Sequence, residues 1–178
     1  IQGWLFNHEG TRRGLDFVTR KITDGIAKLK YALECNALPI DSKKQIPVLT
    51  LGNLEARRDW TDAEDFMEGV WLMLNQEEAK EYVLASGEMH SVREFLDSAF
   101  DAAGISFTSK GKDAEEKYFS DDGKLLFQVN PKYYRPAEVH QLCGDCSLAS
   151  KEMGWVRKTG FENLVRKMYE NDYKILSQ

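Results

Sequence analysis

The sequence predicts an α/β fold, in which parallel strands alternate with amphipathic helices. Short, continuous apolar segments at residues 4–6, 46–51, 82–85 and 125–129 have the length and composition of buried strands. Between them, apolar residues recur every three or four positions, which is typical of helices with one buried face. Alternating strands and helices are the pattern of an α/β domain.

The first helix is predicted from a single apolar stripe. Its members are Val18, Ile22, Ile26, Leu29 and Leu33. Their spacing of three and four positions places them on one face of a helix. An aspartate just before the stripe, Asp16, is the predicted N-cap. The polar residues 35–45 are predicted to form a surface loop.

Three further helices are predicted from capping boxes, in which a Ser or Thr precedes a Glu by three positions. The boxes are Thr61 with Glu64, Ser91 with Glu94, and Thr159 with Glu162. The stripes that follow are Ala63, Met67, Val70 and Leu74, then Phe95, Ala99 and Ala103, then Leu164, Val165, Met168 and Tyr169.

Glycines and polar stretches mark the ends of these elements. Gly104 is predicted to stop the helix that contains Phe95, and Gly154 to stop a short helix over residues 147–153, with Ser147 as its N-cap. Residues 109–124 are polar and charged, and we expect them to form a mobile loop.

Composition excludes several classes of function. The net charge of −5 argues against a general nucleic-acid or anionic-membrane surface. No apolar run reaches the roughly 18 residues that a membrane span requires. The 3 cysteines are too few for a disulfide framework, so a reduced, cytoplasmic protein is expected. Cys143 and Cys146 form a lone CxxC, whereas a zinc site needs about four ligands, and no metal site is predicted.

Arginines from separate segments predict a phosphate-containing ligand. Arg12 and Arg13 follow the first strand, Arg57 and Arg58 precede a capping box, and Arg135 lies in a third segment. The guanidinium offers a rigid fork of donors that matches two phosphate oxygens. Any one pair alone is better explained as an ordinary solvated face, but arginines from separate segments are what a diphosphate ligand needs.

Two features of a complete dinucleotide enzyme are missing from the sequence. It contains no glycine-rich dinucleotide fingerprint, and no tyrosine is followed by a lysine four positions later. The chain also opens on the apolar residues 1–6 and not on Met. We therefore expect further protein to precede it.

Several long motifs, in order, resemble the GDP-mannose 4,6-dehydratase family. They are Leu5-Phe-Asn-His-Glu9 with Arg12-Arg-Gly14, Phe17-Val-Thr-Arg-Lys-Ile22, Leu51-Gly-Asn-Leu-Glu-Ala-Arg-Arg-Asp-Trp60, Ser86-Gly-Glu-Met-His-Ser-Val-Arg-Glu-Phe95, Tyr133-Tyr-Arg-Pro-Ala-Glu-Val139, and Gly144-Asp-Cys-Ser-Leu-Ala149 with Gly154-Trp155. The resemblance covers essentially the whole chain.

The resemblance implies the C-terminal part of an NAD(P)-binding, Rossmann-like extended short-chain dehydrogenase/reductase. Residues 1–9, 54–86 and 127–143 would pack with the Rossmann sheet. Residues 10–53, 87–126 and 144–178 would form the sugar-nucleotide-binding lobe. The missing N-terminal Rossmann half is then an expected partner, and without it the apolar residues 4–6 and 82–85 would be exposed.

The same resemblance assigns ligand contacts. The cofactor is NADP, contacted by His8 and Arg13. The substrate is GDP-mannose, and the matching positions are Asn7, Val18, Lys21, Asn53, Arg58, Arg135 and Glu138. The loop with Arg12 and Arg13 is also expected to reach a neighbouring subunit, which supports a dimer or tetramer. No nucleic-acid or membrane partner is expected.

The implied reaction converts GDP-mannose into GDP-4-dehydro-6-deoxy-mannose, which feeds GDP-fucose or another deoxyhexose. The family's catalytic Thr or Ser, Glu base and Tyr–Lys pair precede the first residue here, so the chain alone is expected to be inactive. Two alternatives remain open: another GDP-sugar reductase or epimerase, and a non-catalytic binding or assembly module. The sequence departs from the family at Gly10-Thr11, which replaces Ser-Pro, at Cys146, and in a longer segment at 35–50.

Overall fold

A computed structural model of the chain describes residues 1–35, 47–133 and 141–178. The helices are α1 (Val18–Cys35), α2 (Ala63–Leu74), α3 (Val92–Ala102), α4 (Ser147–Met153) and α5 (Phe161–Leu176). The strands are β1 (Gln2–Leu5), β2 (Asn7–Glu9), β3 (Leu49–Leu51), β4 (Arg57–Arg58), β5 (Trp60–Asp62), β6 (Glu81–Leu84), β7 (His90–Ser91), β8 (Thr108–Lys110), β9 (Lys117–Phe119) and β10 (Leu125–Val129). The α/β prediction is confirmed.

The strands form several small sheets, and three of the pairings are parallel. β1 pairs with β6, β2 with β5, and β3 with β10, all in parallel. Antiparallel pairs join β10 to β9, β9 to β8, and β4 to β7. The predicted strand at 46–51 is shorter in the structure, and residue 46, like the whole of 36–46, lies outside the described residues.

The main core lies between three helices and the sheet of β3 and β10. Ile22, Ile26 and Leu29 of α1 are fully buried there, as the stripe predicts. The apolar residues of α3 and α5 face the same cluster, which includes Phe95, Leu164, Val165, Met168 and Tyr169. The stripes predicted for α1, α3 and α5 are therefore confirmed.

A second cluster packs α2 and α4 against β6. It contains Phe66, Tyr82, Leu84 and Trp155, all less than 3% exposed. The expectation that residues 82–85 would be exposed is therefore wrong, because the two helices cover that strand. Trp4, in contrast, is 56% exposed, so the first strand is not covered on both faces.

The buried face of α2 differs from the predicted one. The helix buries Phe66, Gly69 and Met73, while Met67 and Leu74 of the predicted stripe are 54% and 66% exposed. Both faces of α2 are apolar, so spacing alone could not identify the buried one. The predicted stripe, with Met67 and Leu74, lies on the face that the described residues leave exposed.

The predicted N-caps are correct at one helix of five. Ser91 and Glu94 form the complete capping box of α3. α2 is capped by Asp62, whose side chain accepts from the backbone N–H of Glu64, and α5 by Gly160 without a side-chain bond. The boxes at Thr61 and Thr159 and the cap at Asp16 are wrong, because each helix begins one or two residues later than predicted.

The predicted helix stops at two glycines are correct, whereas the predicted loop at 109–124 is not. Gly104 and Gly154 do follow helices, with φ of 61° and 66° in the left-handed region, although Cys146 and not Ser147 is the N-cap of α4. The loop predicted at 109–124 is wrong, because β8 and β9 form a hairpin there. β8 lies at the edge of its sheet and its three residues are exposed, whereas β9 lies between β8 and β10 and buries Tyr118.

A buried carboxylate joins three segments that are far apart in the sequence. Asp59 is 0% exposed. Its oxygens accept from the N–H groups of Ser86 at 2.7 Å, Gly87 at 3.0 Å and Gly144 at 3.1 Å, and from the Ser86 hydroxyl at 2.7 Å. Hydrogen bonds to a charged acceptor are among the strongest in proteins, so this residue fixes how the segments cross.

No helix in the ranges that the structure describes is both long and apolar enough to cross a membrane.

Replacing Gly144 with alanine tests the close approach beside Asp59. The new Cβ would lie 2.3 Å from the Cβ of Ala85 and 2.9 Å from the Phe6 ring. Gly144→Ala is expected to lower the free energy of unfolding by about 1–3 kcal/mol, since overpacking forces backbone shifts. Thermal denaturation measures the change. Gly14→Ala is the control, because its Cβ makes only ordinary contact at 3.5 Å. Equal melting temperatures for the two variants would contradict the packing described.

Candidate functional site

A first groove, the β1–β2 groove, lies where β1 ends. Its lining contains three predicted site residues, Asn7, His8 and Arg13, beside apolar neighbours. The complete lining is Trp4, Leu5, Phe6, Asn7, His8, Arg13 and Leu142. Ligands of open α/β sheets bind beyond the carboxyl ends of parallel strands, which is where this groove lies.

Arg13 is held in a fixed position by two contacts of different kinds. Its Nε lies 3.1 Å from Oε2 of Glu9, and the Glu9 side chain is almost fully buried. The guanidinium carbon of Arg13 lies 3.4 Å from the centre of the Phe17 ring, a cation–π contact. Because one side of the fork is paired and one face is stacked, the Nη groups remain in a defined orientation.

The environment of Glu9 combines burial with three partners that stabilise its charged form. Burial raises the pKa of Glu9, while the hydrogen bond from the Thr19 hydroxyl and the charges of Arg13 and His8 act to lower it. The Thr19 Oγ1 lies 2.6 Å from Oε2 of Glu9. Desolvation has the largest effect on the pKa of Glu9. Keeping this carboxylate charged in the buried position therefore lowers the stability of the fold.

His8 has a defined orientation in the groove. Its Nδ1 lies 2.9 Å from the carbonyl oxygen of Phe6, and a carbonyl can only accept. Nδ1 therefore carries the proton, and in the neutral ring Nε2 is the acceptor. The ring also packs against Phe66, with the centroids 5.6 Å apart.

A second groove, the α1–β3 groove, lies between α1 and the strand β3. Lys21 is in its lining, together with a second lysine, Lys28, which lies two helical turns further along α1. The complete lining is Leu15, Lys21, Asp24, Gly25, Lys28, Pro47, Val48, Leu49 and Thr50. Lys28 pairs with Asp24 at 2.7 Å, whereas Lys21 is exposed. The groove offers cationic donors beside apolar walls.

One loop connects the two grooves. Residues 10–17 run between β2 and α1, with Arg13 in the lining of the first groove and Leu15 in that of the second. A ligand that extends from one groove to the other would therefore pass along this loop. Arg12 lies in the same loop and is exposed.

The remaining predicted site residues occupy other positions. Arg58 lies on β4, opposite His90 on β7, and Asn53 forms a local turn by accepting from the backbone of Glu55. Val18, at the start of α1, packs against the main core. These three are not in the lining of either groove. Arg135 and Glu138 lie outside the described residues.

Sequence reasoning missed Lys28 and Asp59. Lys28 lies two helical turns after Lys21, so the helical period that predicted α1 could also have placed both lysines on one side of it. Asp59 gave no signal of its own, because its partners at residues 86, 87 and 144 are recognisable only in three dimensions. Arg58 directly precedes Asp59, so the hydrogen bonds that fix Asp59 also restrict the backbone of Arg58.

The CxxC segment shows free thiols at Cys143 and Cys146. Within the described ranges, no three His, Cys, Asp or Glu side chains come together in a way that would hold a metal ion.

A family model described as GDP-mannose 4,6 dehydratase matches residues 1–168. The chain belongs to the GDP-mannose 4,6-dehydratase family. It is 42% identical to the GDP-mannose 4,6 dehydratase of Cricetulus griseus, over 99% of this chain and 44% of the relative. The Homo sapiens enzyme is 41% identical over the same shares, and that of Vibrio cholerae 40% identical, over 96% of this chain and 45% of the relative.

Solved structures agree with the fold of this family. RMD from Pseudomonas aeruginosa, solved with NADPH, has a TM-score of 0.72 at 20% identity, over 97% of this chain and 48% of that one. A UDP-glucuronic acid 4-epimerase from Bacillus cereus, solved with UDP-glucuronic acid and NAD, has a TM-score of 0.65 at 16% identity, over 97% and 45%. The fold is thus that of the C-terminal part of an extended short-chain dehydrogenase/reductase. The chain spans less than half the length of the relatives that it matches.

Replacing Glu9 with glutamine tests the environment of Arg13 through its pH dependence. An acid with a raised pKa in the folded state binds its proton more tightly there than when unfolded, so stability falls as pH rises above the ordinary value of 4.5. Glu9→Gln removes this titration. We therefore expect the melting temperature of the parent, relative to that of the variant, to fall as the pH rises above 4.5.

The control for this series is Glu162→Gln, which removes an exposed glutamate of α5. A difference between the parent and Glu9→Gln that stays constant with pH would show that burial does not dominate the energetics of Glu9.

Proposed function

We propose that the chain forms the GDP-sugar-binding part of a GDP-mannose 4,6-dehydratase. The complete enzyme would convert GDP-mannose into GDP-4-dehydro-6-deoxy-mannose and water. The observation that carries this proposal is the family match over residues 1–168, which includes every predicted site residue. The convergence of Asn7, His8 and Arg13 in one groove supports it.

The diphosphate and nucleoside of the substrate would occupy the α1–β3 groove and its surroundings. Lys21 would supply positive charge there, with Lys28 close by. Arg58 would bind the diphosphate through its fork of donors. We assign Asn7, Val18, Asn53, Arg135 and Glu138 to the remaining substrate contacts. Val18 would act indirectly, since it packs in the core.

NADP is the proposed cofactor, and the residues of the β1–β2 groove fit it. The side chain of Arg13 is 19% exposed although its Nε is paired with Glu9, so its outer nitrogens are available to a phosphate group. His8, with its Nδ1 committed to Phe6, presents Nε2 as a hydrogen-bond acceptor. When bound, the nicotinamide supplies the site with a hydride acceptor and donor. The protein residues would orient it and neutralise its phosphates.

The uncovered face of α2 supports a further proposal, that a Rossmann half packs on this chain. Gly69 lies against Leu84 of β6, and Met73 against Gly3 of β1. These contacts belong to the buried face of α2. On its uncovered face, Met67, Trp71 and Leu74 are 54%, 63% and 66% exposed. α2 packs on β1 through Met73, and no strand among the described residues pairs with the other edge of β1.

Exposed aromatic and aliphatic side chains beside an open strand edge are typical of an interface. Trp4 lies on the opposite face of β1 from Gly3, since successive residues of a strand alternate, and it is exposed as well. The relatives are more than twice as long as this chain, and a Rossmann half of that additional length would cover both faces of β1. We propose that it carries the catalytic Thr or Ser, Glu and Tyr–Lys residues, so that residues 1–178 contain the binding part only.

We further propose a cytoplasmic location and a homo-oligomer that uses the loop of Arg12 and Arg13. Arg12 is exposed, and Leu15 and Phe17 of the same loop are 57% and 47% exposed. Apolar and arginine side chains together are enriched at protein interfaces.

The proposed function is tested by product analysis. The complete protein, meaning this chain joined to its Rossmann half, is expected to convert GDP-mannose into GDP-4-dehydro-6-deoxy-mannose with catalytic NADP. Residues 1–178 alone are expected to give no turnover, because loss of the general base and acid costs orders of magnitude in rate. Nuclear magnetic resonance of the product distinguishes the activities. A reduced or epimerised GDP-sugar would contradict the proposal, and turnover by residues 1–178 alone would contradict the assignment of catalysis.

Arg58→Ala tests the diphosphate contact. Loss of a charge-assisted bidentate contact is expected to weaken GDP-mannose binding about 10- to 100-fold. Isothermal titration of the complete protein measures the affinity. Arg166→Ala, which removes an exposed arginine of α5, is the control. An unchanged affinity in Arg58→Ala would remove Arg58 from the site.

A further inference from the structure

Arg20, on the first turn of α1, holds the loop of Arg12 and Arg13 by its backbone. Its Nη1 donates to the carbonyl oxygen of Thr11 at 2.9 Å and to that of Arg13 at 2.8 Å. These two carbonyls lie on either side of Arg12. A single guanidinium therefore fixes the backbone on both sides of the exposed arginine.

The other side of the Arg20 guanidinium is bound to α5. Nε donates to Oδ2 of Asp172 at 2.9 Å, and Nη2 lies 2.8 Å from Oδ1. This is the two-pronged geometry in which arginine and a carboxylate bind most strongly. Asp172 is 3% exposed, and its Oδ2 also accepts from the Thr23 hydroxyl at 2.7 Å. The carboxylate thus has a fixed position in the core between α1 and α5.

The loop needs an external support because its own sequence restricts it little. Gly10 permits a wide range of backbone conformations, and Thr11 follows it where a proline would have limited φ. Within the loop, the N–H of Arg13 donates to the carbonyl of Gly10 at 3.0 Å. Glu9 and Phe17 hold the side chain of Arg13, whereas Arg20 holds the backbone that carries it.

A pair that served only to join two helices would not use these carbonyls. α1 and α5 already share buried apolar residues, such as Ile22, Ile26, Leu164 and Met168. Arg20 uses four donor contacts, and two of them reach the loop. This division of contacts is what a support for the loop requires.

We infer that Arg20 and Asp172 are positioning residues for cofactor binding, which connect the C-terminal helix α5 to the phosphate-binding loop of Arg12 and Arg13. The inference rests on the proposed role of this loop toward NADP. Neither residue touches the cofactor. They hold the backbone of the loop so that the guanidinium of Arg13 is already in place when a dinucleotide phosphate arrives, which lowers the cost of ordering on binding.

Arg20→Lys separates this role from a structural one. A lysine ammonium can still pair with Asp172, so the link between the helices remains, but its single nitrogen cannot bind Asp172 and both loop carbonyls at the same time. Arg20→Met and Asp172→Asn remove the pair altogether. Lys30→Met, which breaks a partly exposed ion pair with Glu34 on the same helix, is the matched control.

Each variant is made in the complete protein and examined in three ways. Tryptic cleavage after Arg12 and Arg13 reports how often the loop is released. Titration with NADPH alone reports cofactor affinity, and titration with GDP reports the substrate site. We expect Arg20→Lys to show about tenfold faster cleavage and about tenfold weaker NADPH binding, with GDP affinity and melting temperature close to those of the parent and of Lys30→Met.

The outcomes distinguish the inference from the function on which it rests. Parent-like cleavage and NADPH affinity in Arg20→Lys would overturn the inference, even where Arg20→Met or Asp172→Asn fails to fold. Faster cleavage with unchanged NADPH affinity would also overturn it, because the loop would then be held for another purpose. Absence of NADPH binding by the parent would overturn both the cofactor assignment and the inference that depends on it, whereas failure of the inference alone leaves NADPH binding by the parent intact.

Discussion

The buried carboxylate of Asp59 is the constraint on which the arrangement of the site depends. It accepts hydrogen bonds from residues 86, 87 and 144, which belong to two segments that are distant from it in the sequence. An ionised group that is removed from water requires such donors, since an unpaired buried charge is very unfavourable. The chain crossings are thereby held at fixed positions, and Arg58, the preceding residue, is fixed with them.

Elsewhere in the site, a residue that faces a groove is held in its orientation by other residues that do not. Arg13 faces the β1–β2 groove because Glu9 and Phe17 hold its side chain and Arg20 holds its backbone. The buried partners carry an energetic cost, which is visible in the raised pKa of Glu9. Proteins commonly accept such costs at functional sites, where a defined geometry is worth more than stability.

The parts of the fold that could be predicted are those specified locally. The stripes of α1, α3 and α5 and the capping box at Ser91 depend on residues within one helix, and all are confirmed. The buried face of α2 could not be chosen from spacing, because Phe66 and Met73 on one side and Met67 and Leu74 on the other are equally apolar. The hairpin of β8 and β9 was missed because most of its residues are polar, and because β9 pairs with β10 only in the tertiary structure.

The site was predictable only in part, and mainly through the family motifs. Asn7, His8 and Arg13 do meet in one groove, whereas Asn53 and Arg58 lie apart from the two grooves described. The supporting residues Asp59, Arg20 and Asp172 were not predicted as such, because their partners come from distant segments and no local pattern marks them. Contacts of this kind depend on the tertiary structure, and sequence spacing does not reveal them.

A crystal structure of the complete protein with GDP would test directly whether this chain supplies the GDP-sugar site of a dehydratase. We expect the nucleotide to occupy the α1–β3 groove beside Lys21, with its diphosphate within hydrogen-bonding distance of the Arg58 guanidinium. GDP bound elsewhere, with this groove empty and Arg58 distant from any phosphate, would contradict it.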